Sequence, residues 1–124
     1  MRTLFLTSLV GMMIVCGAAN AAATFDLECT GTMKELGKEA RPWTVRYRID
    51  LGTRTFCVRD CEVVLDIASV TTSSIVLSDD ADIAIKIDRV TGELRSRFRH
   101  SWMSSDGEAK CEPKPFSGMP KAKF

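Results

Sequence analysis

The stretch FCVRDC, which contains Cys57 and Cys61, holds the residues of this sequence best suited by type and spacing to do chemistry. Such a pair can form a redox-active dithiol, half of a metal site, or a structural disulfide bond. A redox dithiol normally has two intervening residues at a helix N-terminus, whereas three residues separate this pair in a predicted hairpin. A zinc site needs more ligands at closer spacing than four scattered cysteines and one histidine provide. We therefore interpret the pair as a structural disulfide and predict no metal and no cofactor.

A disulfide between Cys57 and Cys61 requires the chain to reverse between them. A strand rises about 3.3 Å per residue, so positions four apart on a straight strand lie about 13 Å apart, beyond the reach of a disulfide. Residues 58–60 must then form a bend. This bond would leave Cys29, near the start, to pair with Cys111, near the end, and in a closed meander the first and last strands are neighbours. Four cysteines allow three connectivities, and sequence alone does not choose among them.

Residues 1–23, MRTLFLTSLVGMMIVCGAANAAA, have the features of a cleaved signal peptide. Arg2 supplies positive charge, an apolar run follows, and small residues precede a cleavage site near Ala21 or Ala23. The apolar run is shorter than the roughly 20 residues that span a bilayer. We expect a periplasmic or secreted protein with no stable membrane insertion after cleavage. Export also places the remaining cysteines in an oxidising compartment, which favours disulfide bonds.

Length and charge limit the possible functions of the mature chain. About 100 residues suffice for one domain, which we place at residues 24–112, followed by an extended tail at 113–124 that contains three prolines. Removing the leader takes away one of the 17 basic residues and none of the 16 acidic ones, so the mature charge is balanced. This balance argues against a nucleic-acid partner or bulk attraction to an anionic membrane.

Apolar and polar residues alternate along most of the mature chain, which predicts strands with one buried face. In PWTVRYRID, for example, Trp43, Val45, Tyr47 and Ile49 alternate with polar residues. The pattern predicts strands over residues 25–30, 42–50, 82–88 and 93–99, and weaker ones over 53–58, 61–70, 73–79 and 108–112.

Turn signals separate the predicted strands. Gly92 is expected to take the left-handed conformation in a hairpin loop, and further turns are expected at 51–53 and 105–107. Thr32 and Glu35 have capping-box spacing, so one helical turn at most is expected there. The sequence therefore predicts an all-β fold: an antiparallel meander of about eight short strands that forms a small barrel or two-layer sandwich, stapled by disulfides.

Other chemistry-bearing residues favour no catalytic site. His100, with Ser101 beside it and Asp106 nearby, has the residue types of a hydrolase, but adjacent residues at a strand end point apart, which favours an exposed loop histidine. The acidic cluster at Asp79, Asp80 and Asp82 lacks the glycine and distal glutamate of an EF-hand loop, which favours a solvated turn. We expect a protein that is not an enzyme.

Arginine rows form one candidate interaction surface. Arg95, Arg97 and Arg99 share one face of a predicted strand, and a shorter row lies at residues 46–48. If the rows are neighbours, they form a patch able to bind carboxylates or phosphates. The alternative is that the longer row makes cross-strand ion pairs with Asp82 and Asp88, each of which contributes little.

Trp102 and Met103, in the loop HSWMSSDG, form a second candidate surface. An aromatic residue beside polar ones suits a contact with a partner. The alternative is that Trp102 folds back as a plug over the end of the barrel. The strands are expected to be too short to enclose a ligand cavity of lipocalin size, so a partner should meet the loops or the arginine face.

Two resemblances involve longer segments. The run from YRIDLGTRTFC through IDRVTGEL to Gly107 and Cys111 resembles small exported proteins of Gram-negative bacteria that carry no assigned function. FDLECTG together with Cys111 resembles the architecture of bacterial inhibitors of C-type lysozyme, small periplasmic β-barrels in which a first-strand cysteine is bonded to one near the end. The Ser-Gly-containing inhibitory loop of that family has no counterpart here. The first resemblance implies a β-rich periplasmic or secreted protein and no activity. We interpret the chain as a binding or envelope-accessory module, with an inhibitor of a cell-wall hydrolase as the alternative and an envelope protein or that hydrolase as the expected partner.

Overall fold

A computed structural model describes residues 23–120; residues 1–22 of the predicted signal peptide and the end of the tail from residue 121 lie outside this range. Within it the fold is all-β, as predicted. The strands are β1 (Thr24–Glu35), β2 (Arg41–Asp50), β3 (Thr55–Val58), β4 (Leu65–Asp66), β5 (Ser69–Val70), β6 (Ser74–Asp79), β7 (Ile83–Asp88), β8 (Glu93–His100) and β9 (Met103–Lys114).

All strands pair antiparallel in one sheet of order β4-β3-β2-β1-β9-β8-β7-β6-β5. The two edge strands, β4 and β5, are separated in the chain by only Ile67 and Ala68. A flat sheet of this size would be about 40 Å wide, so it must curl until its edges meet. Ile67 donates a backbone hydrogen bond to Arg54 (2.9 Å) and Ala68 one to Leu77 (3.3 Å). The result is a curled half-barrel whose edges are joined by the chain itself.

The half-barrel has two ends, which we name for later use. At the tip end, β1 finishes and β9 begins, and the turns at residues 36–40 and 101–102 lie there. At the mouth end, β1 begins and β9 finishes, and the turns at residues 51–54 and 89–92 lie there.

The core fills the concave face with the apolar residues that the alternation predicted. Tyr47 and Phe56 are nearly fully buried there and make an edge-to-face contact with ring centroids 6.3 Å apart. Burial raises the pKa of Tyr47 to about 12. The other large buried residues of the core are Leu27, Val45, Ile49, Ile67, Ile75, Leu77, Ile87 and Leu94.

Both cysteine pairs lie at disulfide-bonding distance, in the pairing expected if FCVRDC closes on itself. Cys29 on β1 lies directly opposite Cys111 on β9, with Cα atoms 4.0 Å apart. Cys57 and Cys61 have Cα atoms 5.0 Å apart. The bend between them depends on left-handed backbone at Arg59 (φ 54°) and at Cys61 itself (φ 62°). Both pairs are buried, the first on the concave face and the second on the convex face.

Several local predictions are confirmed and others are wrong. The turn at 51–53 is present, and Gly92 is left-handed (φ 79°) in the hairpin loop. At residues 32–35, where one helical turn at most was expected, none forms, because β1 continues through this segment, paired with β9 throughout and with β2 as far as Met33. The turn predicted at 105–107 is wrong, because it lies within β9. Gly107 packs there under Trp43, whose ring would lie 2.9 Å from an added Cβ. The strand predicted at 61–70 is divided into β4 and β5 by the corner that joins the sheet edges.

The chain beyond β9 lies against the convex face and covers a buried carboxylate. β9 runs to Lys114, and residues 115–120, which we call the C-terminal strap, follow it. Ser117 donates two hydrogen bonds to Asp26, from its backbone N–H (3.0 Å) and from its hydroxyl, and Arg46 donates one from Nε at 2.8 Å. Burial alone would raise the pKa of Asp26, but these hydrogen bonds outweigh it and hold the pKa below its usual 3.8.

The strap also covers the short-range disulfide. Arg48 donates from Nη1 to the carbonyl of Gly118 at 3.0 Å. The thioether sulfur of Met119 lies 3.5 Å from Sγ of Cys57 and 3.8 Å from Sγ of Cys61. The strap therefore protects both the Asp26 carboxylate and the disulfide from solvent.

We predict that the two disulfides stabilise the fold unequally. The cysteines are 82 positions apart in one pair and four in the other. On the loop-closure estimate, the long-range bond contributes about 4.5 kcal/mol and the short-range bond about 2 kcal/mol. Urea unfolding of the Cys29→Ala/Cys111→Ala and Cys57→Ala/Cys61→Ala variants measures both. Equal losses, or a larger loss for the second variant, would contradict this ranking.

We predict that Asp26→Asn lowers the free energy of unfolding by about 2 kcal/mol at neutral pH, because hydrogen bonds to a charged acceptor are lost. Since the folded pKa lies below the unfolded value, this stabilisation is fully present above the unfolded pKa and disappears as the pH falls through the folded one. The difference between wild type and variant should therefore shrink in acid.

Urea unfolding at about pH 7 and about pH 3 measures this change. Glu28→Gln is the matched control, a more exposed carboxylate on the same strand, and should change stability by less than about 1 kcal/mol. A stability difference for Asp26→Asn that does not vary with pH would mean that the charge has no part in holding the strap.

Candidate functional site

The tip end brings together two turns that are far apart in sequence. Because β1 pairs with β9, the turn that follows β1 lies beside the turn that precedes β9. Leu36 donates a backbone hydrogen bond to the carbonyl of Ser104 at 2.9 Å, which fixes one turn against the other. We call the surface formed by Leu36, His100, Trp102 and Met103 the aromatic tip.

The aromatic tip is an exposed apolar surface. Leu36 is 84% exposed, Trp102 is 77% exposed and Met103 is 37% exposed. Trp102 therefore does not plug the barrel, which was the alternative interpretation from sequence. A cleft of about 380 Å³ runs between the two turns, with Lys38 and Ser101 among its other lining residues.

A ladder of rings holds Trp102 in place. The His100 ring stacks on Phe98, with centroids 6.2 Å apart and planes 14° apart, and the Trp102 ring packs edge-on to His100 at 5.2 Å. Phe98 is half-buried, while the other two residues are exposed. The three rings thus continue the core-facing side of β8 beyond the end of the sheet.

Charged residues beside the aromatic tip are paired with one another. The Glu35 carboxylate accepts from Lys38 and from Arg41, each at 3.0 Å. The hydrogen bond and charge of Lys38, followed by those of Arg41, hold the pKa of Glu35 below its usual value. The surface therefore has an apolar centre and a charged, ion-paired rim, which is the anatomy of protein interfaces.

Of the residues that could have formed a hydrolase, His100 and Ser101 come together, although adjacent residues were expected to point apart, but Asp106 does not join them. His100 Nδ1 lies 3.5 Å from Ser101 Oγ in an exposed position. The Asp106 carboxylate instead accepts from Nη2 of Arg99, at 2.9 and 3.2 Å. A triad needs the acid to orient the imidazole, and here the acid is occupied elsewhere.

The acidic cluster forms a turn cap. Oδ1 of Asp80 accepts from the backbone N–H groups of Asp82 (2.8 Å) and Ile83 (2.7 Å), which closes the turn between β6 and β7. Across residues 23–120, no three His, Cys, Asp or Glu side chains lie close enough to hold a metal ion.

The arginine row lies exposed on the convex face of β8, but its partners differ from those predicted. Arg95 faces Lys86 on one side and Glu108 on the other. The arginines of this row form no ion pair with Asp82 or Asp88, and all of these residues lie in the described range 23–120. Asp88 instead caps its own turn, where the N–H groups of residues 91 and 90 lower its pKa.

The two arginine rows do not form one patch. β1 and β9 lie between β2 and β8, so two intervening strands separate the row at residues 46–48 from the longer row. Arg46 is bonded to Asp26 and Arg48 to the strap. The combined anion-binding patch considered from sequence is therefore not present.

Sequence reasoning missed two residues of these surfaces. Leu36 was overlooked because a single apolar residue before a glycine turn carries no periodic signal, and only the β1–β9 pairing places it beside Trp102. For Asp26, the alternation over residues 25–30 predicts a polar residue facing solvent. Nothing in the alternation indicates that the strap would cover it.

Comparison with known proteins finds no match among family models, curated proteins or solved structures. Within residues 23–120, no helix is long and apolar enough to cross a membrane.

We predict that Trp102→Ala changes the free energy of unfolding by less than about 0.5 kcal/mol, because the exposed ring adds little to folding. Trp43→Ala, a half-buried tryptophan packed on the core, should cost about 3 kcal/mol. Guanidinium unfolding of both variants measures the contrast. A loss of 2 kcal/mol or more for Trp102→Ala would mean that this ring stabilises the barrel after all.

Proposed function

We propose that this protein is an exported, non-enzymatic binding module of the cell envelope, and that its partner is a protein that binds the aromatic tip. The observation that carries this proposal is the exposure of Trp102 and Leu36 side by side on two turns that are fixed to each other. Exposed apolar surface has a cost in solubility, and a contiguous patch with a polar rim is typical of an interaction site.

The physics of interfaces supports Trp102 as the anchor. Tryptophan is among the residues most often found at binding hot spots, where its truncation costs 2 kcal/mol or more. The ring ladder through His100 and Phe98 restrains Trp102 before binding. Less side-chain entropy is then lost when a partner closes over it.

Export is supported by the leader and by the cysteines. The signal-peptide pattern predicts a mature chain that begins near Ala22 or Thr24, and two buried disulfide pairs suit an oxidising compartment. Intact-mass measurement of the protein from an envelope or medium fraction tests this. A chain that keeps residues 1–23 in the cytoplasm would contradict it.

An inhibitor of a cell-wall hydrolase is the second candidate. It is favoured by the bond between the first strand and the last, Cys29–Cys111, which is the feature shared with the architecture of lysozyme inhibitors. An inhibitor would slow C-type lysozyme at near-stoichiometric amounts of the mature protein. No effect on lysozyme would remove this candidate and leave the binding module.

We predict that a photo-crosslinking residue introduced at position 102 or 36 captures a discrete envelope protein in living cells. The same residue at Val63, an exposed apolar position away from the tip, is the matched control and should capture nothing specific. Once the partner is purified, Trp102→Ala should weaken its affinity about 30-fold or more, while Val63→Ala should change it less than about threefold.

Titration calorimetry or interferometry with the purified partner measures these affinities. An adduct that forms from Val63 and not from positions 102 and 36 would contradict the proposed surface. Equal affinities of wild type and Trp102→Ala would also contradict it.

A further inference from the structure

The concave face opens at the mouth end, opposite the aromatic tip, into an apolar cleft of about 380 Å³. Its walls come from β1, β6, β7 and the end of β9, all through residues on the core side of their strands. The lining residues are Phe25, Leu27, Ile75, Ile87, Asp88, Arg89, Gly92, Cys111 and Pro113. The cleft lies at the lower end of the size range of small-molecule sites, about 300–1,000 Å³.

Backbone contacts hold the mouth of this cleft in place. Gly92 donates to the carbonyl of Asp88 and accepts from the N–H of Cys111, both at 2.8 Å, so the 89–92 turn is bonded to β9. A Cβ at Gly92 would lie 2.9 Å from the Cys111 carbonyl oxygen, so only glycine permits this approach. Cys111 is in turn bonded to Cys29. A preformed site of this kind loses little entropy on binding.

The rim of the cleft carries one carboxylate, Asp88, and one guanidinium, Arg89, and only the guanidinium has hydrogen-bond donors for a ligand. The Asp88 carboxylate accepts through Oδ1 alone from the N–H groups of Val90 (2.8 Å) and Thr91 (3.0 Å), and these bonds lower its pKa, so it keeps its negative charge. The Arg89 guanidinium donates from Nη1 to the carbonyl of Thr71 at 2.6 Å and forms no ion pair within residues 23–120. A cation with donors to spare therefore lies beside apolar walls.

We propose that the mouth cleft binds a small hydrophobic anion, with its apolar body against Phe25 and Pro113, above the buried Leu27 and Ile87, and its carboxylate or sulfonate on Arg89. The walls favour transfer of an apolar chain from water, and the guanidinium geometry matches a planar carboxylate. The volume suits a body of roughly ten non-hydrogen atoms. This site is independent of the aromatic tip, and its ligand is much smaller than a lipocalin ligand.

Titration of the isotope-labelled mature protein with octanoate, followed by amide chemical shifts, tests the proposal. We expect saturable shifts centred on Gly92 and Cys111, with a dissociation constant in the range of tens to hundreds of micromolar. Octanol, which keeps the chain and lacks the charge, should bind about tenfold more weakly.

Three variants separate the two parts of the site. Arg89→Gln should abolish the preference for octanoate over octanol while leaving octanol binding unchanged. Ile87→Phe should fill the cleft and weaken both ligands about tenfold or more, and the shift pattern of the free protein reports whether it folds. Arg97→Gln, on the convex face, is the control and should bind as wild type.

If Ile87→Phe does not fold, the Arg89→Gln comparison alone decides. Absence of saturable shifts at about 10 mM octanoate, shifts centred on Trp102, or an unchanged ligand preference in Arg89→Gln would each overturn the proposal.

Discussion

The pairing of β1 with β9 is the contact on which the rest of the structure depends. β2 to β4 extend from one side of this seam and β5 to β8 from the other, so the sheet is continuous only because the first and last strands meet. The Cys29–Cys111 bond crosses the seam between directly opposed residues. The same pairing sets the two turns of the aromatic tip side by side and places Pro113 opposite Leu27 at the mouth. The aromatic tip and the mouth cleft therefore both depend on the pairing of β1 with β9.

Strand positions were predictable because one face of the sheet is buried and the other is wet. The alternation at Trp43, Val45, Tyr47 and Ile49 follows directly from that geometry. The turn at Gly92 was also predictable from the local sequence, because its left-handed backbone favours glycine. The positions of Cys29 near the start and Cys111 near the end of the domain also agreed with a meander whose first and last strands meet.

Predictions failed where tertiary neighbours decided the outcome. Residues 32–35 have a helix-start signal, yet they pair as a strand with β9, and Thr32 and Met33 also pair with β2. Gly107 looked like a turn glycine, but it makes room for the ring of Trp43. The Arg99 side chain pairs with Asp106, its diagonal neighbour across β8 and β9, whereas only its backbone N–H contacts Asp82, at the carbonyl. Alternation gives the face of a residue, and it does not give the neighbour across the strand.

Disulfide mapping tests the central claim of a β1–β9 seam most directly. The mature protein is digested without reduction, free thiols are alkylated, and linked peptides are identified by mass spectrometry. A Cys29 peptide linked to a Cys111 peptide, with Cys57 and Cys61 bonded within one peptide, is the predicted result. Links from Cys29 to Cys57 or Cys61, or alkylated Cys29 and Cys111, would contradict the seam and with it the placement of both proposed sites.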